Sequence, residues 1–523
     1  MINCEEIQEE YREGRSYNES IGLYETVQRN ERFYVGDQWH GVQAPSLPKP
    51  VLNILKRVVS YFISMLVSDD VSARIEEMNG LENEELAGLF EAAEKELDTI
   101  IENEKIKTLT RYAMRNAAVD GDCCLHFWFD PETDTGNLTK GVIRAELLEN
   151  TNVYFGNRSV TEVEKQPYIL IARRELLREV QTRAQAAGVD PDEVEADEDE
   201  SEDGDNTARV TVLRRYWKEN GTVHCCETAG GVLLKKDTDL GYGRYPLVWM
   251  NWEKVKNCYH GKSCMTPVIQ NQIDVNRLFA MCLKQVKDGA FPKLVYDKRL
   301  FPDGWDNEVG KAIGAYGDVS AAVTRAAGVT EMSGQALDMI QLLIQYTKET
   351  MGASDAALGE VRADNTSAII AVQKASAMPL ELQKLEMYQM IEDAVRVMVE
   401  LMGCHYGQRL VTRRDDMPAL VDFGRLRELR LNIRVDVGES AYWSELAAVT
   451  TLDNLYNKGI ITDAEMYLDM IPRSLLPKKE KLIEMVRRQK EEAARLQSMQ
   501  AGAAAPGMAD FAAAAQQMGG GML

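Results

Sequence analysis

Two helical segments separated by a short polar break constrain the fold of this chain more than any other feature. The first spans residues 335–358 and the second spans residues 367–402, while residues 359–365 between them carry no apolar pattern. Apolar residues recur along both segments at helical spacing, which places them on one side of each helix. They are Leu337, Ile340, Leu343, Ile344, Tyr346 and Met351 in the first, and Tyr388, Ile391, Val395, Met398 and Met402 in the second.

Pro379 lies inside the second helical segment. Proline removes a backbone hydrogen bond and clashes with the preceding turn, so we expect a kink near residues 375–378. At 1.5 Å per residue the segment would be roughly 50 Å long. A globular domain rarely needs so long and bent a helix. The alternative interpretation is a long core helix of a large α-helical protein.

The chain of 523 residues is long enough for several domains, and its formal net charge is −23. Such a charge argues against a protein that wraps nucleic acid, because phosphate neutralisation needs clustered Lys and Arg. It does not exclude DNA that passes through an acidic channel, where weak binding would be useful. The start of the chain is acidic and no apolar run follows it, so we expect no signal peptide.

Cysteine usage and hydropathy indicate a protein of the reducing cytosol with no membrane span. Nine cysteines occur without a CxxC pair, and we expect all of them to be reduced. The most apolar early segment, residues 51–67, is interrupted by Lys56 and Arg57 and is short for a membrane span. We therefore interpret it as a buried helix.

The middle of the chain changes to a β pattern, so we predict an α+β fold that is mainly α. Residues 123–252 form a β-rich unit, in which Asn220-Gly221 is a strong signal for a two-residue hairpin turn. Residues 190–205 are a nearly continuous acidic run and are predicted to be a disordered surface loop, because like charges repel and nothing there can be buried. A calcium site is the alternative, but the required D-x-[DN]-x-[DN]-G loop is absent.

Motifs for enzyme chemistry are incomplete. The residues GKS at 261–263 end like a phosphate-binding loop, but Lys256 stands where that motif needs its first glycine. Cys258, His260 and Cys264 fit no common zinc spacing. The residues GYGRYP at 241–246 are no dinucleotide fingerprint, since Pro246 replaces the last glycine. We therefore predict no enzyme, no cofactor and no metal site.

Four features together resemble the portal proteins of tailed bacteriophages, the head-to-tail connectors. The first is an amino-terminal pair of motifs, RFYVGDQW at 32–39 and LPKPVLNIL at 47–55. The second is DGDCCLHF at 120–127 before a β unit that contains NVYF at 152–155. The third is the order helix, short mixed insert, helix, polar loop and long kinked helix over residues 263–403. The fourth is a helical end followed by a low-complexity tail.

The resemblance implies a wing, stem, clip and crown architecture assembled as a ring, usually of twelve subunits, around a central channel. Residues 1–262, with their helical start, and the return strands at 409–438 would form the wing. The other parts would be stem helix 1 at 263–290, the clip at 291–334, stem helix 2 at 335–358, the tunnel loop at 359–366, the kinked tunnel helix at 367–408, the crown at 439–499 and a disordered tail at 500–523.

The resemblance also assigns candidate site residues. Around the tunnel loop they are Glu360, Arg362, Asp364, Asn365 and Lys374. Lys284 and Lys287 on stem helix 1 are candidates for the channel wall. In the clip the candidates for docking are Lys293, Tyr296, Lys298, Arg299 and Trp305. For each cation near the channel, the alternative is a surface ion pair with a carboxylate of a neighbouring subunit.

The implied partners are further copies of the chain, the large subunit of the terminase motor, the head-completion adaptor, the major capsid and scaffolding proteins, and double-stranded DNA passing through the channel. No membrane partner is expected. The implied location is one vertex of the capsid, after assembly in the host cytoplasm. A different class remains open, a non-portal helical scaffold or adaptor of a virion that encloses no DNA. A nucleic-acid enzyme is a third class, disfavoured by the missing catalytic motifs.

Overall fold

The computed structural model describes residues 3–67, 70–77, 84–197, 208–290, 294–299, 301, 316, 323–325, 334–353, 378–412, 418–429, 431–438, 442–458, 464–471, 482–483 and 485–488. The chain divides into two compact units, Met1–Val437 and Gly438–Leu523. The first unit combines helices and antiparallel sheets, and helix is the larger share. This confirms the predicted α+β class, mainly α.

The helices of the first unit are α1 (Cys4–Ser20), α2 (Leu23–Val35), α3 (Ile54–Leu66), α4 (Glu84–Asn103), α5 (Ile106–Asp120), α6 (Leu177–Ala186), α7 (Ile269–Ala290), α8 (Gly334–Met351) and α9 (Glu381–His405). The described part of the second unit contains α10 (Tyr442–Asn457) and α11 (Ala464–Met470). Tyr456 of α10 and Tyr467 of α11 place their ring centroids 4.6 Å apart. The presence of α10 and α11 after residue 439 agrees with the predicted helical end.

The strands are β1 (Asp70–Glu77), β2 (Asp122–Asp130), β3 (Val142–Leu148), β4 (Val153–Phe155), β5 (Tyr168–Leu176), β6 (Arg209–Glu219), β7 (Thr222–Ala229), β8 (Val232–Asp239), β9 (Leu247–Asn251), β10 (Leu294–Tyr296), β11 (Val323–Arg325), β12 (Gln408–Thr412), β13 (Pro418–Asp422) and β14 (Leu431–Gly438). A five-stranded sheet has the order β4-β5-β6-β7-β8, and a three-stranded sheet has the order β3-β2-β9. Two-stranded sheets pair β1 with β14, β10 with β11, and β12 with β13.

The hairpin turn predicted at Asn220-Gly221 joins β6 to β7. Both residues have positive φ, 52° and 91°, which matches the twist of a two-residue hairpin. Glu219 and Thr222 are cross-strand partners on either side of it. Strands β1 and β13 were not predicted, although β1 alternates at Val71, Ala73 and Ile75 and β13 is largely apolar.

The core of the first unit is built on β2, which is buried on both faces. Cys123, Cys124 and Phe127 are fully buried, although neighbouring residues of a strand point to opposite faces. Helix α5 packs against this sheet, and α9 packs against β2 and β9. Cys123 Sγ lies 3.7 Å from Met390 Sδ of α9.

Helix α9 is buried on more sides than its predicted seam. Val395, Met398 and Met402 of the seam are buried, while Tyr388 and Ile391 are partly buried against the core. Val397, Val399 and Leu401, which lie off the seam, are buried as well. The carboxyl-terminal half of α9 is therefore a core helix of the first unit.

Several predicted boundaries were wrong. Helix α7 begins at Ile269 and not at 263, because Ser263 Oγ donates to the Ala118 carbonyl at 2.8 Å and accepts from Met265 N at 3.0 Å. Helix α8 ends at Met351 and not at 358, since Gly352 adopts a left-handed φ of 82°. Helix α9 ends at His405 and not at 408, because Gln408 already belongs to β12.

Pro379 lies in a single 3₁₀ turn, Met378–Leu380, directly before α9. At that position the missing N–H of proline costs no helical hydrogen bond. The predicted kink at 375–378 falls mostly outside the described residues, as do most of the acidic run at 190–205, the tunnel loop at 359–366 and the tail at 500–523. Helix α3 starts at Ile54, with the Asn53 side chain accepting from Lys56 N at 3.0 Å, and not directly after Pro50.

A buried histidine joins the three-stranded sheet to the five-stranded sheet. Burial first, and then the nearby Arg214 and Arg173, hold the pKa of His126 well below its usual range. The ring is therefore neutral, with Nδ1 donating to Glu146 of β3 at 2.7 Å and Nε2 accepting from the Tyr216 hydroxyl of β6 at 2.9 Å. The His126 side chain therefore connects the two sheets. Its two hydrogen bonds determine which ring nitrogen carries the proton.

Two amide side chains of α7 anchor the extended chain before α3. Gln272 accepts from Ile54 N at 3.1 Å and donates to the Leu52 carbonyl at 2.6 Å. Asn276 accepts from Leu52 N at 3.1 Å and donates to Gln38 Oε1 at 2.5 Å. Gln272 and Asn276 are buried, so these amides replace the strand that would otherwise pair with this backbone.

Replacing Gln272 by alanine is expected to lower the apparent melting temperature. The buried backbone groups of Leu52 and Ile54 would lose their partners, which costs about 1–3 kcal/mol. The matched control is Gln270→Ala on the same helix, because Gln270 is exposed and contacts only Asp274 of its own helix. Thermal unfolding followed by circular dichroism measures both variants. Equal melting temperatures for the two would contradict the anchoring role.

Asp120 at the end of α5 has an unusual carboxyl group. Burial raises its pKa to about 7, against the opposing effect of Arg115, and Glu31, Glu149 and Asp122 raise it further. Its Oδ1 has no hydrogen-bond partner among the described residues. The same carboxyl has a pKa of 3.8 when unperturbed, so the folded chain holds this proton between about pH 4 and 7 while the unfolded chain has lost it. This group therefore destabilises the fold increasingly as the pH rises through that window.

Asp120→Asn is accordingly expected to raise the free energy of unfolding at pH 8 and to leave it nearly unchanged at pH 4. The interval between the two pKa values corresponds to at most about 4 kcal/mol, at about 1.4 kcal/mol per pH unit. Urea midpoints of wild type and variant, measured from pH 4 to 8, test this. Glu132→Gln, at an exposed carboxylate, is the control and should show no such divergence. A pH-independent difference for Asp120→Asn would contradict the assignment.

Candidate functional site

Helices α7 and α8 pack against each other and correspond to the two predicted stem helices. On α7 the inward side carries Gln272, Val275 and Cys282, all buried. On α8 the inward side carries Ile340 and Thr347, with Leu343 and Ile344 partly buried. These residues account for one side of each helix.

Large apolar side chains also cover other sides of the same two helices. They are between 41% and 57% exposed, and they are Met281 and Val286 on α7 and Leu337, Met339, Leu342 and Tyr346 on α8. The prediction that Leu337 and Tyr346 belong to the inward stripe was therefore wrong. Met339, Leu342 and Tyr346 follow one another at steps of three and four, which makes a second apolar stripe along α8. Such a patch indicates a surface that another protein surface covers.

The two predicted cations of the stem lie beside these exposed apolar residues. Lys284, which is half-buried, follows exposed Met281 by one turn of α7. Lys287, which is exposed, follows Lys284 by another turn. The structure thus brings the candidate channel cations next to the apolar patch and not onto a separate, purely polar face.

The described part of the predicted clip contains two short strands that pair antiparallel. Strand β10 pairs antiparallel with β11, and Tyr296 is opposite Val323. Lys298 and Arg299 are exposed in the turn that follows β10, where Arg299 N donates to Asp297 Oδ1 at 2.9 Å. Tyr296, Lys298 and Arg299 are neighbours along β10 and the turn after it, whereas Lys293 and Trp305 lie outside the described residues.

The predicted tunnel-loop residues Glu360, Arg362, Asp364, Asn365 and Lys374 also lie outside the described residues, but the chain on either side of them is described. Gly352 closes α8, and a Cβ at this glycine would lie 3.0 Å from Pro379 Cβ. Ala353 is fully buried. The chain that leaves at 353 therefore returns at 378 to nearly the same place.

The residues GKS at 261–263 are occupied by contacts within the protein. Asp122 Oδ1 accepts from Gly261 N at 2.5 Å, and its Oδ2 lies 2.7 Å from His260 Nδ1. Ser263 donates to a carbonyl of α5.

Cys258, His260 and Cys264 have separate partners. The Tyr17 hydroxyl lies 3.1 Å from Cys258 Sγ, His260 Nε2 lies 3.1 Å from Asn18 Oδ1, and Cys264 Sγ donates to Ala118 O at 3.3 Å. All nine cysteines are free thiols, as predicted. The three side chains that do bring possible metal-ligating atoms together, among the described residues, are Glu219, His224 and Asp237 on the five-stranded sheet.

Several residues that anchor α7 or lie exposed on α8 were not predicted from the sequence. Gln272 and Asn276 are spaced four residues apart on an otherwise apolar side of α7, which was an available signal for a polar contact inside the protein. Met339 and Leu342 were passed over because a single stripe was assigned to α8. No helix in the described ranges combines the length and hydropathy that a membrane crossing requires.

Comparison with known protein families gives one match. A family model described as "Phage P22-like portal protein" matches residues 159–522, which is more than half of the chain. The match includes α7, the clip hairpin, α8 and α9, but begins after the amino-terminal motifs at 32–39, 47–55 and 120–127. None of the curated proteins compared with the chain matches it. The match confirms the resemblance inferred from the sequence, and the chain belongs to the phage P22-like portal protein family.

Proposed function

We propose that the chain assembles into a closed ring, usually of twelve subunits, at one capsid vertex, and that its channel carries DNA during packaging and ejection. Family membership supports a portal role, oligomeric ring assembly and a place in the virion. The observation that carries the ring is the set of exposed apolar side chains on α7 and α8. The role is structural, as the family is, and not catalytic.

The geometry of such a ring explains why the uncovered residues lie on two helices. In a ring each subunit contacts its neighbours through two different surfaces, so one patch must meet another that is not its copy. Helix α7 offers Met281 and Val286, and α8 offers Met339, Leu342 and Tyr346. We propose that α7 of one subunit packs beside α8 of the next, which covers both sets at once.

We propose that residues 359–366 line the narrowest part of the channel and that 367 onward forms the tunnel helix. The contact between Gly352 and Pro379 supports this, because a segment whose two ends meet can extend from one point of the subunit toward the axis. The net charge of −23 supports weak contact with DNA, since an acidic wall repels phosphate. Arg362, Lys374, Lys284 and Lys287 would then be the cations nearest the DNA.

We further propose that the clip, residues 291–334, docks the large subunit of the terminase motor and later the head-completion adaptor. The exposed Lys298 and Arg299 beside the β10–β11 hairpin support a docking surface there. The alternative is a helical scaffold or adaptor without a DNA channel. It shares the exposed apolar stripe but requires neither ring closure nor an axial opening.

Introducing charge into the α8 stripe is expected to prevent ring formation. In Met339→Glu/Leu342→Glu, two carboxylates would have to be desolvated at each subunit contact, an unfavourable change when no cation pairs with them. Wild type should give a ring with an axial opening and a mass near twelve copies of 58.8 kDa, about 706 kDa. The double variant should give a folded monomer. Native mass spectrometry and class-averaged electron images measure both outcomes.

Leu138→Glu is the matched control, because Leu138 is 72% exposed and belongs to the loop between β2 and β3. It should assemble as wild type does. Rings of unchanged mass in the double variant would show that α8 is not the contact. A wild-type compact dimer, or a ring without an axial opening, would favour the scaffold alternative.

Deleting residues 360–365 is expected to leave ring mass unchanged but to impair DNA packaging or retention. The reason is that the loop would narrow the channel without holding subunits together. DNA content of particles assembled with the shortened protein measures the effect. Normal packaging and retention would contradict the tunnel-loop assignment.

The clip assignment is tested on the same rings. Trp305→Ala is expected to weaken binding of the terminase large subunit without dissolving the ring, because an aromatic side chain is a common anchor of an interface. Surface plasmon resonance on immobilised rings measures the affinity. Unchanged affinity across an alanine scan of residues 291–334 would refute docking at the clip.

A further inference from the structure

Three side chains that can ligate a metal ion meet at one end of the five-stranded sheet. Glu219 ends β6, His224 lies in β7 and Asp237 lies in β8. One possible ligand atom from each of these residues lies within 4.8 Å of the other two. Three strands therefore contribute one ligand each to a common point.

The backbone register explains why the side chains converge. Trp217 is opposite His224, and His224 is opposite Asp239, so all three share one face of the sheet. Glu219 and Asp237 are each two residues from a member of this set and point to the same face. The tight turn at Asn220-Gly221 holds the end of β6 beside the start of β7.

Neighbouring side chains on the same face of the sheet hold the His224 imidazole in place. Its ring stacks on Trp217 with centroids 5.6 Å apart and an angle of 30° between the planes. Nδ1 lies 2.8 Å from Asp237 Oδ1, and Nε2 lies 3.5 Å from Thr222 Oγ1. The His224 side chain is 15% exposed and that of Asp237 is 44% exposed, so an ion can reach them from solvent.

The charge around the imidazole is negative. Glu219, Asp237 and Asp239 surround it, and neither Glu219 nor Asp237 forms an ion pair with Lys or Arg in the described part of the chain. Glu219 and Asp237 are therefore the carboxylates whose charge a bound cation would offset.

We propose that His224 Nδ1 and the carboxylates of Asp237 and Glu219 bind a divalent transition-metal ion of the Zn²⁺ class, with water in the remaining position. One imidazole nitrogen with two carboxylates suits Zn²⁺ or Co²⁺ better than Ca²⁺ or Mg²⁺, which prefer larger sets of oxygen ligands. Nδ1 and Oδ1 lie 2.8 Å apart, which is hydrogen-bond distance, so the two atoms would have to separate to roughly 3.3 Å around a tetrahedral ion with bonds of about 2.0 Å. The ion replaces the Nδ1 proton, which leaves to solvent, and Nε2–H faces Thr222 as an outer hydrogen-bond donor.

Such an ion would connect β6, β7 and β8 at the end of the sheet and stabilise the folded chain by binding it in preference to the unfolded one. The site is independent of the ring, because all three ligands come from one chain. A result showing that no metal binds there would therefore leave the proposed portal function unaffected.

Titration of metal-free full-length protein with ZnCl₂ by calorimetry tests the site. One equivalent per chain is expected, with a Kd below about 100 µM. His224→Ala and Asp237→Asn should each weaken binding by about 10-fold or more. The matched control is His40→Ala, because His40 also faces an aspartate, Asp37 at 3.2 Å, but no third ligand from the described parts of the chain lies beside them. Far-UV circular dichroism confirms that each variant is folded.

Fluorescence gives a second measurement that depends on position. Co²⁺ bound at His224 would quench Trp217, so the loss of fluorescence should be smaller in Trp217→Phe than in Trp249→Phe. Wild type with no binding up to about 100 µM Zn²⁺ would refute the site. Equal affinity in wild type and His224→Ala, or a cobalt spectrum showing thiolate ligation, would also refute it by assigning the ion to cysteines.

Discussion

The contact between two buried amides of α7 and the extended chain before α3 is the constraint on which the rest of the first unit depends. Residues 50–53 are extended but have no strand beside them, so their backbone groups need other partners. Gln272 and Asn276 supply these partners, and Gln38 joins the same cluster. The two amino-terminal motifs and the base of the first stem helix thereby form one structure.

The first unit combines a packed core around β2 with exposed apolar surfaces on α7 and α8. Around β2, the strand itself and the carboxyl-terminal half of α9 are buried, and His126 is paired with Glu146 and Tyr216. Arg409 of the return strand β12 is buried over the Tyr406 ring, 3.4 Å from its centroid, and donates to Gly141 O at 2.6 Å. This contact fastens the return strands to the β2–β3 loop. Helices α7 and α8 instead expose large apolar residues, which is what a subunit that completes its packing in an assembly would do.

Electrostatics adds a further division. The chain is strongly acidic, yet most arginines of the β-rich unit are held by carboxylates, for example Arg215 by Glu10 and Arg214 by Glu227. These cations are unsuited to general phosphate binding. An acidic protein whose basic groups are mostly engaged is compatible with DNA that passes without adhering, and incompatible with one that wraps DNA.

Patterns among residues close in sequence were sufficient to predict many of the helices and strands and to indicate the family. Helical spacing predicted α8 and the later part of α9, the β pattern predicted the β-rich unit, and Asn-Gly predicted the β6–β7 hairpin, because these signals depend on residues close in sequence. The order of the elements indicated a portal protein. Only the tertiary structure decided that α7 begins at Ile269, that α9 is a core helix in its second half, and that Met339 and Leu342 remain exposed. It also brought Glu219, His224 and Asp237 together. Those outcomes depend on contacts between residues far apart in the chain, whose free energies no local pattern contains.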